Sequence, residues 1–280
     1  MKLSVIDTGF FKLDGGAMFG VVPKTLWNKL NPADEKNLCN WAMRCLLVED
    51  GNRLILIDTG IGNKQDDRFF SFYALSETKS LSDSITKQGH HPDEITDVIL
   101  THLHFDHCGG ATKWNEAKTD IIPTFKNAVY WSHPEHWKHA LQPNPREKAS
   151  FLKDNLLPLQ ESGQLKFIDS KQFTDNIEFI YSDCHTEKMV LPIIHHNNQH
   201  IVYMADLVPS SFHIPVNYVM AYDIRPLLSM QEKENFYKLA LESNYTLFFE
   251  HDPIFECGRI QLTEKGFRLQ ETFALNEIMV

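Results

Sequence analysis

The chain has 280 residues and a formal charge of −10, from 37 acidic against 27 basic side chains. Apolar residues at 42% and charged residues at 23% describe a globular chain able to bury a large core, expected as one domain over residues 1–280. The acidic balance argues against a nucleic-acid or anionic-membrane partner, and no stretch approaches the ~20 apolar residues of a bilayer span.

Met1–Asp7 carries an acid at position 7 and no apolar run, so a cytoplasmic chain without a secretion signal is expected. Five scattered cysteines with no CxxC suit free thiols in a reducing compartment. Gly15-Gly16-Ala17-Met18-Phe19-Gly20-Val21-Val22-Pro23 is apolar but punctuated by glycine, and reads as a loop that either covers the core or walls a pocket. Further on, short apolar runs end abruptly in polar residues. Arg53–Ile57 meets Asp58-Thr59-Gly60, Asp97–Leu100 meets Thr101-His102, and Ala128–Trp131 meets Ser132-His133. His200–Met204 meets Ala205-Asp206, and Thr246–Phe249 meets Glu250-His251-Asp252. Each reads as a buried strand. Leu81, Ile85 and Gln88 before Gly89 predict a helix with a glycine C-cap, and residues 134–159 predict a connecting helical segment. Ser229 with Glu232 predicts a capping box opening a helix through Phe236, Leu239 and Ala240. Sheets flanked by helices follow, with polar residues delivered at strand ends, where chemistry belongs.

The densest signal is Thr101-His102-Leu103-His104-Phe105-Asp106-His107-Cys108-Gly109-Gly110. In an extended start, His102 and His104 share a side while Leu103 turns inward. The chain must then turn to bring Asp106 and His107 back, with Gly109-Gly110 supplying flexibility. Two imidazoles and an Asp–His pair suit two cations a few ångströms apart, as in two-metal hydrolases. A polar turn with surface histidines is the bland alternative, and it does not account for this density directly after an apolar strand. More ligands are needed, and His185, Asp206 and His251 stand where the sequence turns polar.

These residues, in this order, resemble the metallo-β-lactamase superfamily from Asp58 to His251. The resemblance implies an α/β fold, a four-layer αββα sandwich with metals at the sheet edge. It implies one metal on His102, His104 and His185, a second on Asp106, His107 and His251, with Asp206 and a water bridging them. Asp58 would orient ligands from behind. Two divalent ions are expected, zinc by donor chemistry, with iron, manganese or cobalt able to occupy similar shells. The third motif departs from the family: Cys184 stands for the usual Gly, and Glu187-Lys188-Met189 replaces Pro-Gly-His. Cys184 itself reads as a buried inert thiol.

Among the remaining polar residues, His90, His91, His133, His136, His139, His195, His196 and His200 read as surface histidines. His213 reads as structural, with pocket lining the alternative, and Asp252 as either a turn acid or a support for the ligands. The resemblance narrows to quorum-quenching N-acyl-homoserine lactonases, which implies a metal-bridged hydroxide attacking a lactone carbonyl and Asp106 shuttling a proton to the leaving alkoxide. Met18, Phe19, Phe105 and Phe212 are the expected apolar lining for the acyl tail. Many such lactonases carry a Tyr three residues after the bridging Asp; Pro209 stands there, so Tyr222 or an extra water must serve. The alternatives are an organophosphate or aryl-ester hydrolase on the same site, and a metal-bound sensor or scaffold without turnover. A small ester or lactone is the expected partner, and a homodimer is compatible.

Overall fold

A computed structural model describes residues 1–278. One sheet has six strands in the order Lys2–Asp14, Leu38–Asp50, Arg53–Ile57, Asp97–Ile99, Val129–Ser132, Leu165–Phe167. The other has seven, in the order Gly266–Phe273, Cys257–Thr263, Tyr245–Phe248, Gln199–Tyr203, Met189–His196, Ile177–Ser182, Gln172–Thr174. A small ribbon pairs Thr112–Trp114 with Ile121–Pro123.

The strand alternation sorts the core. Leu46, Val48, Ile55, Ile57 and Ile99 of the first sheet join Val190, Ile201, Val202, Leu247 and Phe248 of the second in one apolar cluster. Cys45, Leu47, Leu54, Leu56 and Val98, one residue out of phase, point the other way, onto Ile85, Trp137 and Leu156 from the flanking helices. Phe236, Tyr237 and Ala240 of the helix Pro226–Glu242 cover the second sheet. The layers are therefore helix, sheet, sheet, helix, the αββα sandwich.

Local expectations meet the structure unevenly. All five strands form within a residue of their expected bounds. Leu81–Lys87 is helical, capped by Ser80, with Gly89 at φ +92° just beyond. Gly15–Phe19, expected as a loop, is a short helix because the Asp14 carboxylate accepts from Ala17 N and replaces the missing propensity. Residues 134–159 split into Pro134–Leu141 and Lys153–Glu161, with an irregular stretch between. Ser229 is not a cap: the helix begins at Pro226, and Glu232 instead accepts from Ser182 Oγ and Asp183 N.

Candidate metal centre

The strand Asp97–Ile99 ends at Leu100, and the chain runs extended through His102 before the short helix Phe105–Cys108 turns Asp106 and His107 back. His185 follows the strand Ile177–Ser182, Asp206 follows Gln199–Tyr203, and His251 follows Tyr245–Phe248. All seven side chains are buried and meet at one edge of the sandwich. His102, His104, His185 and Asp206 form one donor group, and Asp106, His107 and His251 another.

Asp206 stands between the two groups. Its Oδ2 lies 3.0 Å from His185 Nε2, 3.6 Å from His107 Nε2 and 3.9 Å from His102 Nε2. Its Oδ1 lies 3.3 Å from His251 Nε2. His185 Nε2 is 3.1 Å from His104 Nδ1, and His251 Nε2 is 3.2 Å from His107 Nε2. Asp106 Oδ2 is 3.7 Å from His251 Nε2 and 3.8 Å from His107 Nε2. Donor atoms of five imidazoles and two carboxylates crowded this closely are what a cation resolves. The buried His102 Nε2 and Asp206 Oδ1 have no hydrogen-bond partner, which a packed interior rarely tolerates. The donor set fits two divalent cations.

Behind three of the five imidazoles stands a group that fixes the outer nitrogen. His251 Nδ1 donates to Ala42 O at 2.8 Å, and His185 Nδ1 to Asp223 Oδ1 at 2.9 Å. His107 Nδ1 lies 3.1 Å from Asp58 Oδ2 and 3.0 Å from Glu250 Oε2. Asp58 also accepts from Thr101 N at 2.8 Å and Thr101 Oγ1 at 2.6 Å. Such outer partners set tautomer and ring direction. Ala205 sits at φ +41° directly before Asp206, a left-handed conformation that costs alanine roughly 1–2 kcal/mol and aims the carboxylate between the two groups.

Charge follows the same layout. Burial opposes a charged His185, yet Asp206 and Asp223 hold its pKa up at about 10. Burial likewise opposes a charged His251, but Asp206 and Glu250 raise it to about 8. Asp206 is held far below the usual carboxylate range against its burial, by His185, His107 and His251. Burial, with Asp58 close by, lifts Glu250 to about 7.

A cavity of about 390 Å³ opens onto this floor. His104, Asp106, His185, Asp206 and His251 line its base and Leu13, Met18, Phe105 and Met220 its apolar side, with Tyr73, Arg146, Glu147 and Tyr222 among the remaining lining residues. Of the residues expected to line the pocket, Met18, Phe105 and Tyr222 border this cavity. Phe19 and Phe212 do not. Phe19 has no exposed surface and is stacked between Trp27 and His213. Phe212 packs against the same apolar cluster and does not line the cavity.

Several residues escaped sequence reasoning. His136, expected at the surface, is 1% exposed: its Nε2 accepts from Leu103 N at 2.8 Å, and its Nδ1 donates to Glu187 O. Burial lowers its pKa to about 3, so it is a neutral strut between two ligand-bearing turns. The other surface-assigned histidines are exposed or half-buried. Glu147 accepts from Thr186 Oγ1 at 2.6 Å and pairs with His139, and its Oε1 lies 3.7 Å from His104 Nε2. His213 is structural, bonded to Ser210 Oγ and Met18 O. Asp252 is a turn acid that accepts from Ser211, Ile254 and Phe255. Cys184 is buried, 3.2 Å from Ser182 Oγ, its thiol pushed up by burial. Gly109 and Gly110 serve close approach rather than flexibility: a Cβ at Gly109 would lie 2.1 Å from Ile61 O, and one at Gly110 would lie 2.2 Å from Thr59 O.

The family model of the metallo-beta-lactamase superfamily matches residues 44–251, a span holding all seven donors. The chain belongs to the metallo-beta-lactamase superfamily. Within it, a solved probable metal-dependent hydrolase from Staphylococcus aureus is 27% identical, with TM-score 0.85 and 98% of each chain covered. AidC, a dizinc quorum-quenching lactonase, is 23% identical with TM-score 0.78, covering 97% of this chain and 94% of its own, a likeness of fold. An N-acyl homoserine lactonase from Bacillus cereus is 26% identical over 118 residues, 39% of this chain. That match spans 47% of the curated relative's length. Membership and donor geometry make this superfamily chain a metallo-hydrolase. No described helix is long and apolar enough to cross a membrane.

Proposed function

We propose that this superfamily member is a lactonase that opens N-acyl-homoserine lactones or related small lactones at a dinuclear site. The observation that carries the reading is the cavity itself: one apolar side, and a floor made of the converging donors. His102, His104 and His185 would hold one cation and Asp106, His107 and His251 the other, with Asp206 between them. Bound there, two divalent cations would acidify a water and polarise the attacked carbonyl.

The remaining work falls to the chain's own groups. Asp106 faces the cavity and is placed to carry the proton from water to the leaving alkoxide as the ring opens. The phenols of Tyr73 and Tyr222 supply hydrogen-bond donors that Pro209 cannot. Leu13, Met18, Phe105 and Met220 exclude water and accept an acyl tail. Away from the donor floor the wall of Leu13, Met18, Phe105 and Met220 serves an uncharged ester better than an ionic substrate.

One purified preparation assayed against long-chain acyl-homoserine lactones, paraoxon and phenyl acetate, with and without chelator, tests the reading. Lactone opening that chelator abolishes supports it. Efficient phosphotriester or aryl-ester hydrolysis without lactone opening replaces it with the hydrolase alternative. Metal binding with no turnover of any of the three indicates a sensor or scaffold.

A further inference from the structure

The third motif is where this chain leaves the family pattern, and the turn bearing His185 is braced from elsewhere. Cys184 O accepts from Arg225 N at 3.1 Å, and His185 O from Ile224 N at 3.3 Å. The Arg225 guanidinium donates to Asp183 O and, at 2.6 Å, to Glu187 Oε2, a residue of the altered motif itself. On the side-chain level, His185 Nδ1 donates to Asp223 Oδ1 at 2.9 Å, and Ser229 Oγ donates to Asp223 Oδ2 at 2.7 Å. Asp223 is 4% exposed and Ser229 1%. Both carboxylate oxygens are thus engaged, one on the imidazole and one on the helix Pro226–Glu242.

Met220, Ala221 and Tyr222, which directly precede Asp223, line the cavity. Ala221 N donates to Ala17 O at 2.8 Å, tying this segment to the wall that carries Met18. The same few residues therefore face the substrate space on one side and the back of His185 on the other.

We propose that Asp223 is the positioning residue of His185, part of a brace that the 223–225 segment places behind the altered third motif. The proposal rests on the dinuclear reading above. Asp223 holds the imidazole with its hydrogen on Nδ1, which leaves the Nε2 lone pair facing Asp206 and His104. Without the carboxylate, the neutral ring is free to carry its hydrogen on Nε2, which closes that lone pair to a cation.

The test compares wild type with Asp223→Ala, Asp223→Asn and Ser229→Ala. Metal-free protein is titrated with Zn²⁺ against a chromophoric chelator. The His185 tautomer is read from two-bond ¹H–¹⁵N spectra of the metal-free protein at a pH above about 10, where the ring is neutral, assigned by difference with His185→Asn. Asp223→Ala is expected to weaken one zinc equivalent by about 10- to 100-fold, leave the other unchanged, and shift His185 toward the Nε2–H form. Asp223→Asn keeps an acceptor oxygen, so it is expected to retain the tautomer and weaken the same equivalent less; Ser229→Ala should act in the same direction. A purely structural Asp223 would lower folding stability without selecting one equivalent or moving the tautomer. Unchanged affinities, equal weakening of both equivalents, or an unmoved tautomer in Asp223→Ala overturns the proposal. If Asp223→Ala does not fold, unchanged zinc affinity in Asp223→Asn overturns it instead. Wild type that fails to take two equivalents sinks the dinuclear reading, while the tautomer still decides the role of Asp223.

Discussion

Replacing Phe19 separates a wall that is packed from a wall that is touched by substrate. Its ring lies 5.3 Å from Trp27 at 8° and 4.9 Å from His213 at 6°, and 5.8 Å from Trp41. With no exposed surface, Phe19→Ala leaves a cavity, and such changes cost about 3–5 kcal/mol. Stacked pairs contribute about 0.5–1.5 kcal/mol each beyond burial, which places the cost toward the upper end. At roughly 2–4 °C per kcal/mol for a chain of this size, the midpoint of thermal unfolding should fall on the order of 10 °C. Met18 is the contrasting residue, since it lines the cavity. Met18→Ala should change how kcat/KM depends on acyl-chain length, where each buried CH₂ contributes up to about 0.8 kcal/mol, roughly fourfold in binding. Thermal unfolding with saturating metal, alongside kcat/KM across a lactone series, measures both. The reasoning is refuted if Phe19→Ala keeps the wild-type midpoint while flattening the chain-length dependence, because that is the behaviour of a lining residue.

Three further outcomes follow from the geometry. Asp206→Ala should remove nearly all hydrolysis and at least one metal equivalent, since it is the one carboxylate facing both donor groups; elemental analysis after reloading that finds two equivalents and full rate would contradict this. Asp97 accepts from Arg53 Nε and Nη2 at 2.9 and 2.5 Å, Thr96 Oγ1 at 2.7 Å and Trp131 Nε1 at 2.8 Å. Burial raises its pKa, but those bonds hold it below the ordinary range, so its contribution is full above the unfolded carboxylate value of ~3.9 and is lost as pH falls below it. Asp97→Asn should cost about 1.5–3 kcal/mol at pH 7 by urea unfolding, and its stability should fall less steeply than wild type between about pH 4 and pH 2. Tyr222→Phe should lower kcat/KM for acyl lactones with unchanged metal content, and Tyr73→Phe added to it should lower it further; a double variant at wild-type rate would remove both phenols from the reaction.

What the sequence disclosed depended on how local the cause was. The strand ends were legible because an apolar run stopping at a polar residue needs only its neighbours to be read. The cluster from His102 to His107 was legible for the same reason. The helix Gly15–Phe19 was not, because its glycines outweighed a cap from Asp14 that shows only once the backbone is placed. Phe19 was assigned to the pocket because nothing near it in sequence announces His213 as its stacking partner. Asp223 on His185 and Glu147 near His104 are pairs far apart along the chain. Glu250 was adjacent to a recognised ligand, and a buried acid at a strand end was the available signal.

The contact of Gly109 and Gly110 with Ile61 and Thr59 bears on how this scaffold can diversify. Main chain rests on main chain there, and no side chain acts as a spacer. A methyl at Gly109 would meet Ile61 O at 2.1 Å against an ordinary contact of 3.4 Å or more, a shortfall several times the ±0.2 Å tolerance of a metal–ligand bond. The adjoining turn carries Asp106 and His107, so mutation at this seam is penalised through both donors at once. Arg146, Ser150 and Tyr222 at the cavity's other side lie outside that constraint. New substrate ranges are therefore reachable by drift at the mouth, while the rear of the site is held to one solution.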